Sequence, residues 1–170
     1  MQVLVSTAPF GDPDPQPRRR LERAGIEYVV NPFNRKLTES ELKNLISDAK
    51  VLIAGTEPIT RDILDVAGSL KLICRVGIGL DSVDLMAARD RGIEVTYTPE
   101  APSAAVSELT IGLMINLLRS IHRSNYELHE GVWRRYFGPR LEESVIGIIG
   151  AGRIGTRVIK HLRGFDCGRI

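Results

Sequence analysis

The chain has 170 residues, 43% of them hydrophobic and 26% charged, with a formal net charge of +2. That is apolar material for one domain and part of a second, and the charge is too weak to point to a nucleic-acid or polyanion partner. Cys74 and Cys167 show no CxxC or Cys/His ligand spacing, which argues against a metal centre and a disulfide framework. The opening "MQVLVSTA" lacks a signal peptide's basic start, and no apolar run nears the roughly 18 residues of a membrane span, so a cytoplasmic protein without a membrane partner is expected.

Over the first hundred residues, short apolar runs recur at a steady interval: "QVLVSTA" (2–8), "EYVVNP" (27–32), "VLIAG" (51–55), "LKLICRVG" (70–77) and "IEVTYTP" (93–99). Segments of helical spacing lie between them, around Pro17–Ala24, Thr38–Ser47, Thr60–Val66 and Ser82–Arg91. Such alternation predicts successive βα units and a mainly parallel five-strand open sheet. The strands read as continuous apolar runs, as a sheet covered on both faces requires. Thr38 with Glu41 three residues on forms a capping-box pattern, and Gly92 closes the fourth helix. The basic run "PRRRLER" reads as the solvated face of the first helix.

After "TPEAPS" the pattern changes. From Ala104 to about Arg123 runs a strongly apolar helical stretch with Ser103 as the expected N-cap. Leu109, Leu113, Leu117 and Ile121 make one stripe, with Ile111, Met114, Ile115 and Leu118 beside it. A helix apolar over so much of its circumference is expected to be covered on two sides. The domain boundary is placed at residues 99–103, giving domains 1–102 and 103–170.

Two glycine loops carry the chemistry. In "VIGIIGAGRIGTRVIKHL" (145–162) a strand-like run precedes Gly150-x-Gly152-x-x-Gly155, and a helical pattern follows. This order suits a dinucleotide site. Gly150 allows the tight turn, Gly152 lets backbone approach a pyrophosphate, and Gly155 lets helix and strand pack closely. The acid that would bind the adenosine ribose belongs roughly 20 positions later; Asp166 is too early. The second loop, Gly77-Ile78-Gly79, follows "LKLICRV" and leads to a helix capped by Asp81 or Ser82. Backbone N–H groups there suit a carboxylate or phosphate, although the loop taken by itself reads first as a plain structural turn.

"CRVGIGLDSVDLMAARDRGIEVTYTPEAPSAAVSELTIGLMINLLR" (74–119) closely resembles the N-terminal half of the D-isomer-specific 2-hydroxyacid dehydrogenases, with the phosphoglycerate dehydrogenases as the nearest branch. "EGVWRR" followed by "VIGIIGAGRIG" fits the same family. The resemblance implies a flavodoxin-like substrate domain, then the start of a Rossmann domain, in an oxidoreductase that exchanges a hydride between a 2-hydroxy or 2-keto acid and NAD. It implies backbone contacts from Gly77, Ile78 and Gly79 to the substrate carboxylate, with Ile78 near the nicotinamide. It also implies pyrophosphate contacts from Gly150, Gly152, Arg153, Ile154 and Gly155, and a homodimer through the helix at 104–123. The substrate is a small 2-hydroxy acid, with 3-phosphoglycerate one candidate, and the choice of NAD over NADP rests on residues beyond Ile170.

Two departures qualify the match. Pro102 stands where many relatives have asparagine. The family's catalytic arginine, glutamate and histidine lie further along the cofactor domain, so no catalytic residue is assigned here; His122, His129 and His161 are expected to be surface or packing groups. The chain is therefore expected to be the N-terminal part of a longer enzyme and, alone, neither to turn over substrate nor to hold NAD tightly. The alternative is a non-catalytic binding or dimerisation module on the same fold. In the loop "AGTEPIT" (54–60), Glu57 is expected to disfavour a phosphorylated substrate by charge repulsion.

Overall fold

The computed structural model describes residues 2–12 and 14–170. The chain divides into two compact units, Met1–Pro99 and Glu100–Ile170.

The first unit alternates β1 (Val3–Val5), α1 (Gln16–Arg23), β2 (Tyr28–Val30), α2 (Glu39–Ile46), β3 (Val51–Ala54), α3 (Arg61–Val66), β4 (Leu72–Arg75), α4 (Leu85–Asp90) and β5 (Glu94–Tyr97). The sheet order is β2-β1-β3-β4-β5 with every pair parallel. This is the flavodoxin-type order, whose direction of winding reverses between β1 and β3. The register lines up Leu4, Leu52, Ile73 and Val95 across four strands. Leu4, Leu52 and Ile73 are fully buried, and Leu42, Ile46, Ile63, Leu64, Ala87 and Ala88 from the helices join them in one core. Burial of each large aliphatic side chain contributes about 1.5–3 kcal/mol.

Local chemistry sets the start of α2 and the end of α4. Thr38 and Glu41 form the expected capping box, with Thr38 N–H donating to Glu41 Oε2 at 2.9 Å. Gly92 closes α4 at φ +64°, and Ile93 N–H reaches back to Ala88 O at 2.9 Å. The start of α4 differs from expectation: its N-cap is Asp84, which accepts from Ala87 N–H at 2.8 Å, rather than Asp81 or Ser82. The cause is tertiary. Ile59 N–H donates to Ser82 O and Asp84 N–H donates to Ile59 O, so residues 82–84 bridge to Ile59 before winding begins. α1 buries no residue, as its basic sequence suggests.

The second unit contains α5 (Ser103–Arg119), α6 (Ile121–His129), a single 3-10 turn (Leu141–Glu143) and α7 (Arg153–Arg163). Three expectations change here. Pro102, not Ser103, is the N-cap of α5, because Ser103 N–H already bonds to Glu100 O in a turn that starts the winding earlier; Ser103 itself is fully buried. The helix also stops at Ser120, in left-handed conformation at φ +51°, and α6 leaves at 64° to α5. Asn116 Oδ1 accepts from His122 N–H at 2.8 Å and so satisfies a donor freed by the break. Residues 145–149 form no ladder beyond one parallel bridge, Val145 to Arg169. A strand needs a neighbour to bond to, and among the described residues the backbone of this segment bonds across only to Arg169.

Ile111, Leu141, Val158 and Leu162 form the core of this unit, with Met114, Ile115, Leu118, Ile146, Ile148 and Ile154 packed against them. The other stripe of α5 is bare: Leu109 is 61% exposed, Leu113 52% and Leu117 72%. Within the unit α5 is thus covered on one side, not two. Beyond α6 the chain folds back on Glu127, whose carboxylate accepts from the Tyr136 hydroxyl and lies near Arg123 and Arg134. The Tyr136 hydrogen bond, helped by the two arginines, holds the Glu127 carboxyl below its ordinary range.

Candidate functional site

The first unit gathers a site at the carboxyl ends of its strands, where open parallel sheets bind ligands. β1 leads into Ser6 and Thr7, β3 into Gly55, Thr56 and Glu57, and β4 into Val76 and Gly77. Thr7, Ala8, Lys36, Gly55, Thr56, Glu57 and Val76 line a small cleft. It sits at the switch between β1 and β3. Glu57, 2% exposed, accepts from the Ser6 hydroxyl and from Gly55 N–H (2.9 Å). Its carboxylate therefore braces the loop from within. Asn31 donates to Ser6 O at 2.9 Å and to Arg35 O at 2.7 Å, which anchors the segment that brings Lys36 to the cleft.

The Gly77-Ile78-Gly79 loop follows directly. Gly77 has φ +142°, a conformation that side-chain-bearing residues rarely adopt. Its N–H is engaged by Thr98 Oγ1 at 2.9 Å, while Thr98 N–H donates back to Gly77 O at 2.9 Å. Among the described residues, the N–H groups of Ile78 and Gly79 carry no hydrogen bond. The exposed Ile78 side chain stands beside them. Gly77 is thus anchored through both of its backbone groups, and the N–H groups of Ile78 and Gly79 are left as the open donors of the loop. The Arg75 guanidinium lies under this loop: it donates to Val76 O, and a Cβ on Gly77 would run into it. Sequence reading passed over Arg75, although a charged residue at the end of an apolar strand was a visible signal.

The second unit holds the other loop. Gly150 adopts φ +91°. Gly152 is the N-cap of α7 in extended conformation, and a Cβ there would meet nothing within 4 Å. At Gly155 a Cβ would strike the carbonyl oxygen of Gly150. The three glycines thus show a strained turn, an open face and a close backbone approach, the three properties a pyrophosphate cradle needs. Arg153, Ile154 and Gly155 form the first turn of α7, whose N–H groups lack intrahelical partners and carry the positive end of the dipole. The Ile154 side chain packs into the core, so only its backbone faces outward toward a ligand. Thr156 Oγ1 donates to Ala151 O at 2.9 Å and pins the loop. Gly152, Arg153, Thr156, Arg157 and Lys160 line an open cleft with Glu100. The residues present fit a dinucleotide's diphosphate. Asp166 lies at φ +54° in the turn after α7, outside this cleft.

None of the histidines stands at either loop. His129 Nδ1 meets Asn125 O at 2.8 Å, His161 Nε2 lies 3.3 Å from Ser107 Oγ between α7 and α5, and His122 is exposed. Cys74 and Cys167 are free thiols, and among the described residues no cluster of His, Cys, Asp and Glu is arranged to hold a metal ion.

Residues 3–162 match the family model of the D-isomer specific 2-hydroxyacid dehydrogenase catalytic domain. The chain is 42% identical over 138 residues to a D-3-phosphoglycerate dehydrogenase of Methanocaldococcus jannaschii, which covers 79% of this chain and 26% of that protein. It is 38% identical over 153 residues to a hydroxypyruvate reductase of Thermotoga maritima, covering 85% of this chain and 50% of the relative. Among solved structures, NAD+-bound 3-phosphoglycerate dehydrogenase of Entamoeba histolytica superposes with a TM-score of 0.78 at 28% identity, over 97% of this chain and 51% of that one. A protein of Thermus thermophilus superposes with a TM-score of 0.87 at 32% identity, over 98% and 54%. The chain spans between a quarter and about half the length of these relatives.

Proposed function

This chain belongs to the D-isomer specific 2-hydroxyacid dehydrogenases, and from that premise we propose that it is the N-terminal part of an NAD-dependent enzyme exchanging a hydride between a 2-hydroxy acid and NAD. The observation that carries the reading is the approach of Gly155 to the Gly150 carbonyl, which brings the start of α7 against the loop with Gly152 left open. In this reading Gly150, Gly152, Arg153, Ile154 and Gly155 hold the pyrophosphate through backbone donors and the Arg153 side chain. Bound there, the dinucleotide supplies the nicotinamide that accepts or donates the hydride. Ile78 and Gly79 give their N–H groups to the substrate carboxylate, Gly77 being the rigid post held by Thr98. The Ile78 side chain offers an apolar wall on the nicotinamide side, and Arg75 adds positive charge beneath the carboxylate.

The proposal places proton transfer and the grip on the keto group in a longer polypeptide, in keeping with the relatives' greater length. The 170 residues alone are expected to be inactive. It also makes the exposed Leu109, Leu113 and Leu117 stripe of α5 a homodimer contact. 3-Phosphoglycerate and hydroxypyruvate are both candidate acids, after the names of the two relatives.

The first test is the mass of the polypeptide in its native source. A mass well above 18.8 kDa, with NADH-dependent reduction of a 2-keto acid by that longer protein, supports the reading. A native mass of 18.8 kDa would move the non-catalytic module to first place. Titration of the longer protein with NADH and NADPH decides between the two dinucleotides.

A further inference from the structure

The turn before α5 carries an acid that reaches the glycine loop of the same unit. Glu100 Oε1 accepts from Arg153 Nε, and both side chains line the cleft formed with Gly152, Thr156, Arg157 and Lys160. Both are more than half exposed, so the pair is held loosely and can exchange partners. Arg153, Arg157 and Lys160 follow at i, i+4 and i+7 and share one face of α7. Arg157 and Lys160 form no ion pair among the described residues. The cleft therefore sets three cations against one carboxylate, at the positive end of a helix. That carboxylate engages the arginine that a diphosphate at Gly152 would engage.

We propose that Glu100 is an internal competitor for the diphosphate site: it holds Arg153 in the ligand-free protein and yields it when a dinucleotide enters. Glu100 thereby sets dinucleotide affinity without being part of the reacting machinery. An acid retained in the cleft weakens binding in two ways, by occupying the arginine and by repelling the incoming anion. The cost of the competition is a faster release of the dinucleotide, useful where release limits turnover. The inference rests on the reading of the second glycine loop as the pyrophosphate site.

The experiment measures the Kd of inorganic pyrophosphate and of NADH by calorimetry and by NADH fluorescence. It compares the unaltered protein, Glu100→Gln, Arg153→Gln and the double variant. Competition predicts that Glu100→Gln tightens both ligands about two- to ten-fold, that Arg153→Gln weakens both, and that the gain from Glu100→Gln shrinks in the Arg153→Gln background. Raising the salt concentration should reduce the gain, since exposed charges are screened. The 15N resonance of Arg153 Nε should move in Glu100→Gln without ligand, and in the unaltered protein on adding pyrophosphate.

Unchanged or weaker binding by Glu100→Gln, while Arg153→Gln still weakens both ligands, overturns the competitor and leaves the loop reading standing. Binding that ignores both substitutions overturns the loop reading, and the competitor with it. So does a failure of the unaltered protein to bind either ligand at millimolar concentration.

Discussion

The hydroxyl of Ser6, at the end of β1, donates to the carboxylate of Glu57 in the loop after β3, and both residues are buried. Gly55 N–H meets the same Oε1 at 2.9 Å, so one acid ties two strand ends together beneath the cleft. Glu57→Ala would leave Gly55 N–H buried without a partner, a loss of about 1–3 kcal/mol. Glu57→Gln keeps a carbonyl acceptor and should recover part of it. Urea unfolding of the three proteins checks this, and an alanine variant as stable as the original would show that the brace is decorative.

The glycines of the second loop should separate folding from binding. A Cβ at Gly155 meets the Gly150 carbonyl, whereas at Gly152 it meets nothing. Gly155→Ala must push α7 away from the loop, at a cost of about 1–3 kcal/mol, the range for overpacking. Gly152→Ala should change stability by no more than about 0.5 kcal/mol yet weaken NADH binding, because the methyl group stands where the ligand approaches. Thermal melts and NADH titrations of both variants decide; equal melting losses would remove the distinction.

The bare stripe on α5 gives a third test. Leu113→Asp and Leu117→Asp put charge into a face with no cover in its own unit. If that face joins two copies, light scattering should show a dimer for the original and a monomer for each variant, with far-UV circular dichroism unchanged. A monomer at all concentrations in the original would remove the dimer from the proposal.

Acid should uncover the capping box. Glu41 accepts from Arg35 at 2.7 Å and from Thr38 N–H at 2.9 Å, and the Arg35 hydrogen bonds, then the Thr38 backbone bond, push its carboxyl down to about 2. A folded-state value below the unfolded one means that the unfolded chain binds the extra proton first. The stabilisation is then whole above the ordinary glutamate value of 4.5 and fades as pH falls toward 2. Glu41→Gln should be less stable than the original at neutral pH, with the gap closing between pH 5 and pH 2. A gap independent of pH in chemical denaturation would rule this out.

What short-range chemistry controls could be read directly from the order of residues. Thr38 and Glu41 cap their own helix, and Gly92 closes the one before β5. The apolar runs of β1, β3 and β4 mark parallel strands, though only β1 is buried along its whole length; β3 alternates buried and half-buried residues and β4 buries only Ile73. The order Gly150, Gly152, Gly155 ahead of a helical repeat specifies a tight turn packed closely against a helix start. For the caps and the glycine turn the deciding contact lies within a few residues, so composition and spacing suffice; for the strands the run of apolar residues marks the element but not its partner.

Contacts between distant residues decided the rest. α4 starts at Asp84 because residues 82–84 bond to Ile59 first. Gly77 is held by Thr98, 21 residues away, which leaves Ile78 and Gly79 as the open donors. That Glu57, a charge in its loop, is buried against Ser6 and Gly55 is set by the fold alone. Glu100 and Arg153 are 53 residues apart and become partners only when the turn before α5 comes beside α7. α5 breaks at Ser120, where Asn116 captures His122 N–H, though the apolar repeat runs on through Ile121. Periodicity reports which face of a helix is apolar; what covers that face, and which polar atoms meet across the fold, are properties of packing among elements far apart in the chain.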